Sequence, residues 1–285
     1  MAGQKIAIVY FSGTNVTHTC AQIIHEALKE DGCTVQSFNV TGHASRKRFP
    51  SVHNFDGVVF GFPVYSDFAP SVINKWLPTL EGEGKRCSLF LTYGARTTGY
   101  AHFHTTLLLR QAGFQVLFSA EFPGRHTFNL HGWRILPDRP DERDFAVARE
   151  YAALCVERFI QDSPPVFNLQ KPFGYPEVME FQKIRTKQED SCWTSPVRIE
   201  SECSMCRNCE TECPALAFDA DSGLSDAERC IGCMHCVYIC PDKVIGMDGG
   251  IKVTHEEFLD FFHMTEEMIS SRKSRIITDA RQTAY

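Results

Sequence analysis

The chain has 285 residues, of which 43% are hydrophobic and 22% charged, and its formal net charge is −6. Length and composition are those of a globular protein with one ordinary domain and one small one, and no apolar run is long enough to cross a bilayer. The negative charge and the lack of a long basic stretch argue against a nucleic-acid-binding surface.

The N-terminal half alternates short apolar runs with longer helical stretches, which is typical of strand and helix repeating along a parallel sheet. The first run begins at Lys5 with no signal peptide before it, so we expect a cytoplasmic protein. All strands but the second are near-continuous apolar runs, as expected when helices cover both faces of a sheet. The predicted strands are 5–11, 34–38, 57–62, 87–92 and 115–122. The predicted helices are 16–29, 70–80, 101–112 and 142–160.

The pattern changes after residue 162. Prolines and a glycine interrupt the helical periodicity over residues 163–198, which we interpret as a linker. Residues 199–248 hold a cysteine-rich repeat and form a second domain. Residues 249–285 are predicted to be a helical tail that packs back onto one of the domains, because Thr254 can cap a helix with apolar residues at helical spacing.

Eight of the 13 cysteines form two copies of one pattern. The copies are Cys203-x2-Cys206-x2-Cys209-x3-Cys213-Pro214 and Cys230-x2-Cys233-x2-Cys236-x3-Cys240-Pro241. Three cysteines spaced in this way can bind three corners of a [4Fe-4S] cluster from one loop, and the fourth ligand must come from elsewhere. Zinc also takes four thiolates, but its structural sites usually present two separated pairs, so iron-sulfur clusters are the better interpretation.

The repeat resembles bacterial-type two-cluster ferredoxins. In that arrangement the cysteine before each proline binds the other cluster. The resemblance therefore implies two [4Fe-4S] clusters in a small α+β domain. The ligands of one are Cys203, Cys206, Cys209 and Cys240. The ligands of the other are Cys230, Cys233, Cys236 and Cys213.

Five further cysteines fit no ligand spacing. Cys20 and Cys155 fall on predicted helices, and Cys33 and Cys87 lie beside predicted strands, so we expect small buried side chains. Cys192 lies near the cluster domain, and we expect no ligand role for it.

Three loops follow predicted strands at the edge of the sheet where ligands bind in open α/β folds. The first, residues 12–17, offers amides and hydroxyls to a phosphate and contains no lysine, so it differs from the loop of nucleoside triphosphatases. The second, residues 61–67, and the third, residues 92–99, combine aromatic side chains with flexible backbone, as the binding of a flat ring requires.

These loops and the strand pattern resemble flavodoxin-like domains. The whole chain resembles members of the flavodoxin family that carry a C-terminal two-cluster ferredoxin domain. The implied fold is α/β, a doubly wound five-stranded parallel sheet. The implied cofactor is FMN, with its phosphate on the first loop and its ring between the other two. The implied contacts are Ser12, Thr14, Asn15, Val16 and Thr17 for the phosphate and Pro63, Val64, Tyr65, Thr92, Tyr93, Gly94 and Gly99 for the ring.

The first loop departs from the family at one place. The family has Gly-Asn where this chain has Asn15-Val16. Asparagine tolerates positive φ better than other non-glycine residues, so the loop geometry is expected to survive.

Three functions agree with these features. The leading hypothesis is an electron-transfer protein that passes electrons between the two clusters and FMN, to or from a redox protein partner. The second is an oxidoreductase, an FMN-dependent reductase of a bound small-molecule acceptor, with Arg96, His102, Arg125 and His126 shaping the substrate site. The third is a subunit of a larger redox complex. The oligomeric state, monomer or homodimer, stays open.

Two regions near the implied flavin site carry further expectations. His102 and His104 lie two positions apart on a predicted helix, so they point to different faces, and we expect them to be exposed. The connection 121–144 is longer than a compact sheet needs. It is a lid or docking surface, or it packs on the cluster domain.

Overall fold

The computed structural model describes residues 3–184, 194–200 and 202–279. An α/β domain is built around a six-stranded sheet, and a smaller domain with two two-stranded sheets follows it. Within the described ranges no helix is both long enough and apolar enough to span a bilayer.

Strands and helices alternate through the α/β domain as the sequence predicts. Its consecutive strands are β1 (Lys5–Tyr10), β2 (Thr34–Asn39), β3 (Gly57–Pro63), β4 (Arg86–Tyr93) and β5 (Gln115–Pro123). Its helices are α1 (Val16–Glu30), α2 (His43–Lys47), α3 (Ser71–Trp76), α4 (Ala101–Gln111) and α5 (Glu142–Ile160). The short 3-10 helices are Leu77–Thr79 and Thr127–His131.

These five strands have the order β2-β1-β3-β4-β5, and each neighbouring pair is parallel. The order reverses between β1 and β3, because the chain leaves β1 toward one edge and returns on its other side. This is the flavodoxin-like doubly wound order, which opens a crevice at the carboxyl ends of β1 and β3. The α/β fold class predicted from the sequence is confirmed.

The central strands are buried on both faces. Every residue of β3 is buried, whereas the edge strand β2 is largely exposed, which explains why only β2 lacks a continuous apolar run. Helices α1 and α5 cover one face of the sheet, and α3 and α4 cover the other. Gly61 lies at the centre of β3, where a Cβ atom would stand 2.0 Å from the ring of Phe90, so only glycine fits.

The C-terminal segment contributes a sixth strand that the sequence analysis does not predict. β10 (Arg275–Ile277) pairs antiparallel with β5 at the edge of the sheet. The predicted helical tail is thus helical only in part. Three residues are too few to show a strand period, and the register depends on β5 alone. The two tail helices before the strand are α9 (His255–Phe261) and α10 (Glu266–Ser270).

The predicted helix start at Thr254 is present. The Thr254 hydroxyl accepts a hydrogen bond from the amide of Glu257, and the Glu257 carboxylate accepts one from the amide of Thr254. This reciprocal pair satisfies two amides that a helix start leaves without partners.

The segment predicted as a linker packs against the α/β domain. Phe167 is buried in the core beside α3 and α4, and its carbonyl accepts a hydrogen bond from Arg110. Helix α6 (Tyr175–Ile184) follows, and Tyr175 at its start is buried against α4. The prolines therefore mark an extended path over the domain surface. Cys192 lies outside the described residues.

The smaller domain begins within the segment predicted as linker. Strand β6 (Pro196–Arg198) pairs antiparallel with β9 (Ile245–Met247), so these residues belong to the domain and not to the linker. Strand β6 is too short to show the alternating pattern of a strand, so it is defined only by its pairing with β9. The remaining elements are α7 (Asn208–Thr211), β7 (Phe218–Asp219), β8 (Leu224–Ser225) and α8 (His235–Ile239).

The connection 121–144, which runs from the end of β5 to the start of α5, packs against the smaller domain. Its apolar side chains are buried against the smaller domain and the tail, which agrees with the second of the two roles considered for it. The Trp133 indole N–H also donates to the carbonyl of Val253 at 3.0 Å. The buried cluster comprises Phe128, Trp133, Ile135 and Leu136 of the connection with Met234, Met247, Met264 and Ile269.

Candidate iron-sulfur sites and ligand cleft

The structure brings together the four cysteines predicted for the first cluster, which line one pocket in the smaller domain. Asp242 holds the last of them near the others, because its carboxylate accepts hydrogen bonds from the Ser204 amide at 2.8 Å and hydroxyl at 2.7 Å. The Cys206 side chain is exposed, so this site reaches the protein surface. The four cysteines are Cys203, Cys206, Cys209 and Cys240.

The four cysteines predicted for the second cluster also converge, in a more buried position. Burial raises the pKa of the Cys236 thiol well above its ordinary value, and the neighbouring Cys233, Cys230 and Cys213 raise it further. Thiolates at such a site need the positive charge of a metal group. The Ala217 amide donates to the Cys213 sulfur at 3.2 Å, which orients that side chain.

The two cysteine loops have the same backbone shape. Residues at matching positions have positive φ, at Met205 and Arg207 in one loop and at Gly232 and Met234 in the other. This conformation costs free energy for the three non-glycine residues, and it turns amides toward the enclosed space. The loops therefore form a cradle that fits an anionic cluster.

The spacing of the sulfur atoms separates a cluster from zinc. Among the described residues, no three cysteine sulfur atoms lie within 4.8 Å of one another. Four thiolates on one zinc ion lie closer, ~3.8 Å apart for Zn–S bonds of about 2.3 Å. The sulfur atoms of either set therefore lie too far apart to share one zinc ion.

The four non-ligand cysteines that the structure describes agree with the sequence prediction. Cys20, Cys33, Cys87 and Cys155 are all buried in the α/β domain. Burial raises the pKa of the Cys155 thiol to about 12, so this group stays protonated and apolar in character.

The loop predicted to bind phosphate leads into α1 with the expected backbone. Asn15 has a φ of 74°, so it adopts the left-handed conformation that a glycine would otherwise supply. Thr41 supports the loop from behind, because its hydroxyl accepts from the Ser12 amide at 2.8 Å. Within the described hydrogen bonds, the amides of residues 14–17 have no protein acceptor. They are available to an anion at the start of a helix.

The other two predicted loops are linked to each other and to the first. The hydroxyls of Thr17 and Thr92 share a hydrogen bond of 2.8 Å. Asp67 of the second loop forms an ion pair with Arg96 of the third. Gly99 packs against Asp67 so closely that a Cβ atom would lie 2.4 Å away. The three loops thus form one wall of fixed shape.

A cleft of about 1000 Å³ opens between the loops, the connection 121–144 and the tail. Most of the predicted flavin contacts line it, while Asn15 and Gly99 lie outside the lining and shape the loops instead. The lining residues among the predicted contacts are Ser12, Thr14, Val16, Thr17, Pro63, Val64, Tyr65, Thr92, Tyr93 and Gly94.

The second cysteine loop forms part of the cleft wall. Ile231 and Gly232 line the cleft, and the His235 ring nitrogen is 2.9 Å from the carbonyl oxygen of Gly13 in the phosphate loop. A Cβ atom at Gly13 would lie 2.6 Å from the Cys233 carbonyl oxygen and 2.7 Å from the Tyr65 hydroxyl. One cysteine loop and two loops of the α/β domain therefore meet at Gly13.

Aromatic side chains from distant segments close the opposite side. The His126 ring stacks on Trp133 with 4.8 Å between centroids, and Trp133 contacts Phe258 of α9 at 4.4 Å. Burial, together with nearby His255, lowers the pKa of His126 to about 4, so its ring is neutral near pH 7. The Arg96 guanidinium lies 4.6 Å from the ring of Phe262.

The expectation that His102 and His104 are exposed is wrong. His102 is 1% exposed and its Nε2 is 3.1 Å from Glu121, whereas His104 is 8% exposed and its Nδ1 is 2.6 Å from the hydroxyl of Tyr175. Both faces of α4 are covered, one by β5 and the other by α6. The two rings do point in different directions, as the spacing predicts. Of the four side chains proposed for a substrate site, only Arg96, Arg125 and His126 reach the cleft.

Strand order and cysteine geometry together define an iron-sulfur protein of electron-transfer character with a flavodoxin-like α/β domain. Residues 195–241 match the family described as a 4Fe-4S dicluster domain. The chain is 36% identical over 50 residues to the indolepyruvate oxidoreductase subunit IorA of Archaeoglobus fulgidus. It is 46% identical over 48 residues to one component of an ion-translocating oxidoreductase complex of Methanosarcina acetivorans. The first match covers 17% of this chain and 8% of the relative, and the second covers 16% of this chain and 18% of the relative. This chain therefore spans less than a fifth of the length of either relative.

Solved structures similar to the α/β domain come from several flavoproteins. One is the Flv1 flavodiiron core from Synechocystis, with a TM-score of 0.43 and 19% identity, covering 55% of this chain and 36% of that one. Another is a flavodoxin from the domain Archaea, with a TM-score of 0.41 and 16% identity, covering 55% of this chain and 99% of that one.

Several residues of the cleft carry no local sequence pattern that reveals them. Thr41 supports the phosphate loop from beyond β2, and Ile231 and Gly232 reach the cleft only because the two domains pack together. The aromatic residues of α9 could be recognised as a helix face, but not as a cleft wall.

Proposed function

We propose that the protein carries electrons between a redox partner and FMN in the cleft, through two [4Fe-4S] clusters bound by the two cysteine sets. The contact of the second cysteine loop with Gly13 is the observation that supports this proposal most. In this contact, the loop that would bind the second cluster lies against the loop that would hold the FMN phosphate. FMN, when bound, supplies the conversion between one-electron and two-electron transfer.

The two cysteine sets differ in exposure, and this difference suggests an order. The first set reaches the surface at Cys206, while Cys233 of the second is buried beside the cleft. Electrons exchanged with a protein partner would enter or leave at the first cluster, and the second would connect it to FMN.

The charge distribution supports a basic partner. Residues 195–241 carry eight acidic and three basic side chains, so five of the six net negative charges of the chain fall in the dicluster region. A surface of this sign steers association with a positively charged protein, and the steering weakens as ionic strength rises.

Chemical analysis and rapid kinetics test the proposal. Protein purified without oxygen should contain iron and sulfide for two clusters and FMN for one site. On mixing with a reductant that acts on the clusters, cluster reduction should precede flavin reduction. His235→Ala should slow the second step, because it removes the hydrogen bond between His235 and Gly13, while cluster and flavin contents stay unchanged.

His25→Ala is the matched control, since His25 contacts Ser37 at the edge of the sheet, away from both cysteine sets. Flavin reduction that does not depend on the clusters, or a protein that retains no FMN, would refute the proposal.

A second function, reduction of a small molecule in the cleft, is favoured by the size and lining of the cleft. Aromatic walls at Trp133 and Phe258 and the basic side chain of Lys252 would suit a planar anionic acceptor. Replacement of Lys252 by alanine separates the two functions. It should lower turnover of such an acceptor if the protein is a reductase, and leave electron exchange with FMN unchanged if it is a carrier.

A further inference from the structure

The proposed phosphate loop offers no positive charge of its own. A phosphomonoester carries about −1.5 to −2 charges at pH 7. Residues 12–17 include no basic side chain, and the first one after them is His18. Burial lowers the pKa of His18, and its Nδ1 is 2.7 Å from the hydroxyl of Tyr10, so its ring does not supply a cation at neutral pH.

The connection 121–144 delivers an arginine to this loop. Gly124 packs on the first turn of α1, where a Cβ atom would lie 2.5 Å from Val16. The next residue is Arg125, whose amide donates to the Arg139 carbonyl at 3.0 Å. Its guanidinium Nη2 lies 3.4 Å from the carbonyl oxygen of Thr14, inside the cleft wall.

Arg125 differs from the other arginine of the cleft in its partners. Arg96 is neutralised by Asp67 and lies over the ring of Phe262. Arg125 forms no ion pair with any carboxylate in the described part of the chain, and its contact with Thr14 uses one of its five N–H donors. Its charge and most of its donors are available to an anion at the loop.

We propose that Arg125 is the cation of the phosphate site and selects phosphorylated flavin over riboflavin. This inference rests on the proposed function, because it assumes that a flavin occupies the cleft. The arginine would donate a charge-assisted hydrogen bond to the phosphate, in addition to the hydrogen bonds from the amides of residues 14–17. It would contribute nothing to the binding of the ring.

Flavin binding to the full-length protein tests this role directly. Flavin-free protein that retains its clusters is titrated with FMN and with riboflavin, and binding is followed by flavin fluorescence. Arg125→Gln should raise the dissociation constant of FMN by about 10-fold to 100-fold, the range for a hydrogen bond to a charged group. It should leave the dissociation constant of riboflavin within about twofold of the wild type, since riboflavin lacks the phosphate.

Two further variants make the result specific. Arg125→Lys should retain part of the preference for FMN, because it keeps the charge but loses the planar fork of donors. Arg134→Gln is the matched control, because Arg134 is an exposed residue of the same connection. This variant should bind both flavins like the wild type. Higher salt should weaken FMN binding to the wild type more than to Arg125→Gln.

The outcomes separate this inference from the proposed function. Equal losses for FMN and riboflavin, or no loss for either, in Arg125→Gln would overturn the role of Arg125 while leaving a flavin site. A wild-type protein that binds neither flavin would overturn both. Unchanged cluster absorbance in each variant establishes that the variants are folded.

Discussion

Glu121 joins four parts of the α/β domain, and its replacement should measurably destabilise the protein. The carboxylate is 5% exposed and accepts hydrogen bonds from Thr98 at 3.0 Å and from Arg275 at 2.7 Å, with His102 at 3.1 Å. These partners belong to the third loop (residues 92–99), to β10 and to α4, while Glu121 itself is in β5. Burial alone would raise the pKa of Glu121, but His102 and Arg275 lower it from 4.5 to about 2.

The size of the effect follows from that pKa. A carboxyl pKa of about 2 against the ordinary value of 4.5 corresponds to about 3 kcal/mol of stabilisation of the folded state. Glu121→Gln should remove about this much and lower the midpoint of thermal unfolding by roughly 6–12 °C. Differential scanning calorimetry without oxygen, at one scan rate for all variants, measures the change.

The pH dependence has a definite sign. Because the folded pKa lies below the unfolded one, the stabilisation is complete above about pH 4.5 and is lost as the pH falls toward 2. The difference between wild type and Glu121→Gln should therefore be constant from about pH 5 to 8.

Glu142→Gln is the control for the Glu121 experiment, because the Glu142 side chain is 83% exposed and its pair with Arg149, at 3.4 Å, should contribute less than about 1 kcal/mol. If Glu121→Gln unfolds like this control, or if its effect appears only as the pH rises through about 7, the carboxylate is not held as an ion and the reasoning fails.

Three other predictions concern the clusters and the core. Cys213→Ser should remove the spectrum of the second cluster and preserve that of the first, since Cys213 lies close to Cys233 and Cys236. Electron paramagnetic resonance detects both clusters, and loss of the first cluster instead would contradict the ligand sets. Electron exchange with a basic partner should slow as salt increases, and rates that do not depend on ionic strength would exclude steering by the acidic dicluster region. Gly61→Ala should destabilise the sheet by about 1–3 kcal/mol through the clash with Phe90, and an unchanged unfolding midpoint would show that the ring can move aside.

Much of the fold could be predicted because the informative patterns are local. Each strand of the parallel sheet is a short apolar run, and the cysteine spacing is visible within a single loop. The left-handed backbone of Asn15 also follows from the residue type, since asparagine adopts this conformation more readily than most residues.

What could not be predicted depends on contacts between distant segments. His102 and His104 are buried because Glu121 and Tyr175 cover them, at sequence separations of 19 and 71 residues. The strand β10 is defined only by its pairing with β5. Likewise, the loop sequence around Cys233 gives no sign that it will lie against Gly13.

The pairing of β10 with β5 has a consequence for biosynthesis. A ribosome releases the N-terminal strands first, and domains generally begin to fold in that order. The outer edge of β5 then stays uncovered until residues 275–277 have been made, after the entire dicluster segment. An uncovered strand edge is a template for pairing with other chains. Termination of translation shortly before β10 would therefore leave a nascent protein with both cysteine sets present but with an aggregation-prone edge, which only residues 275–277 cover.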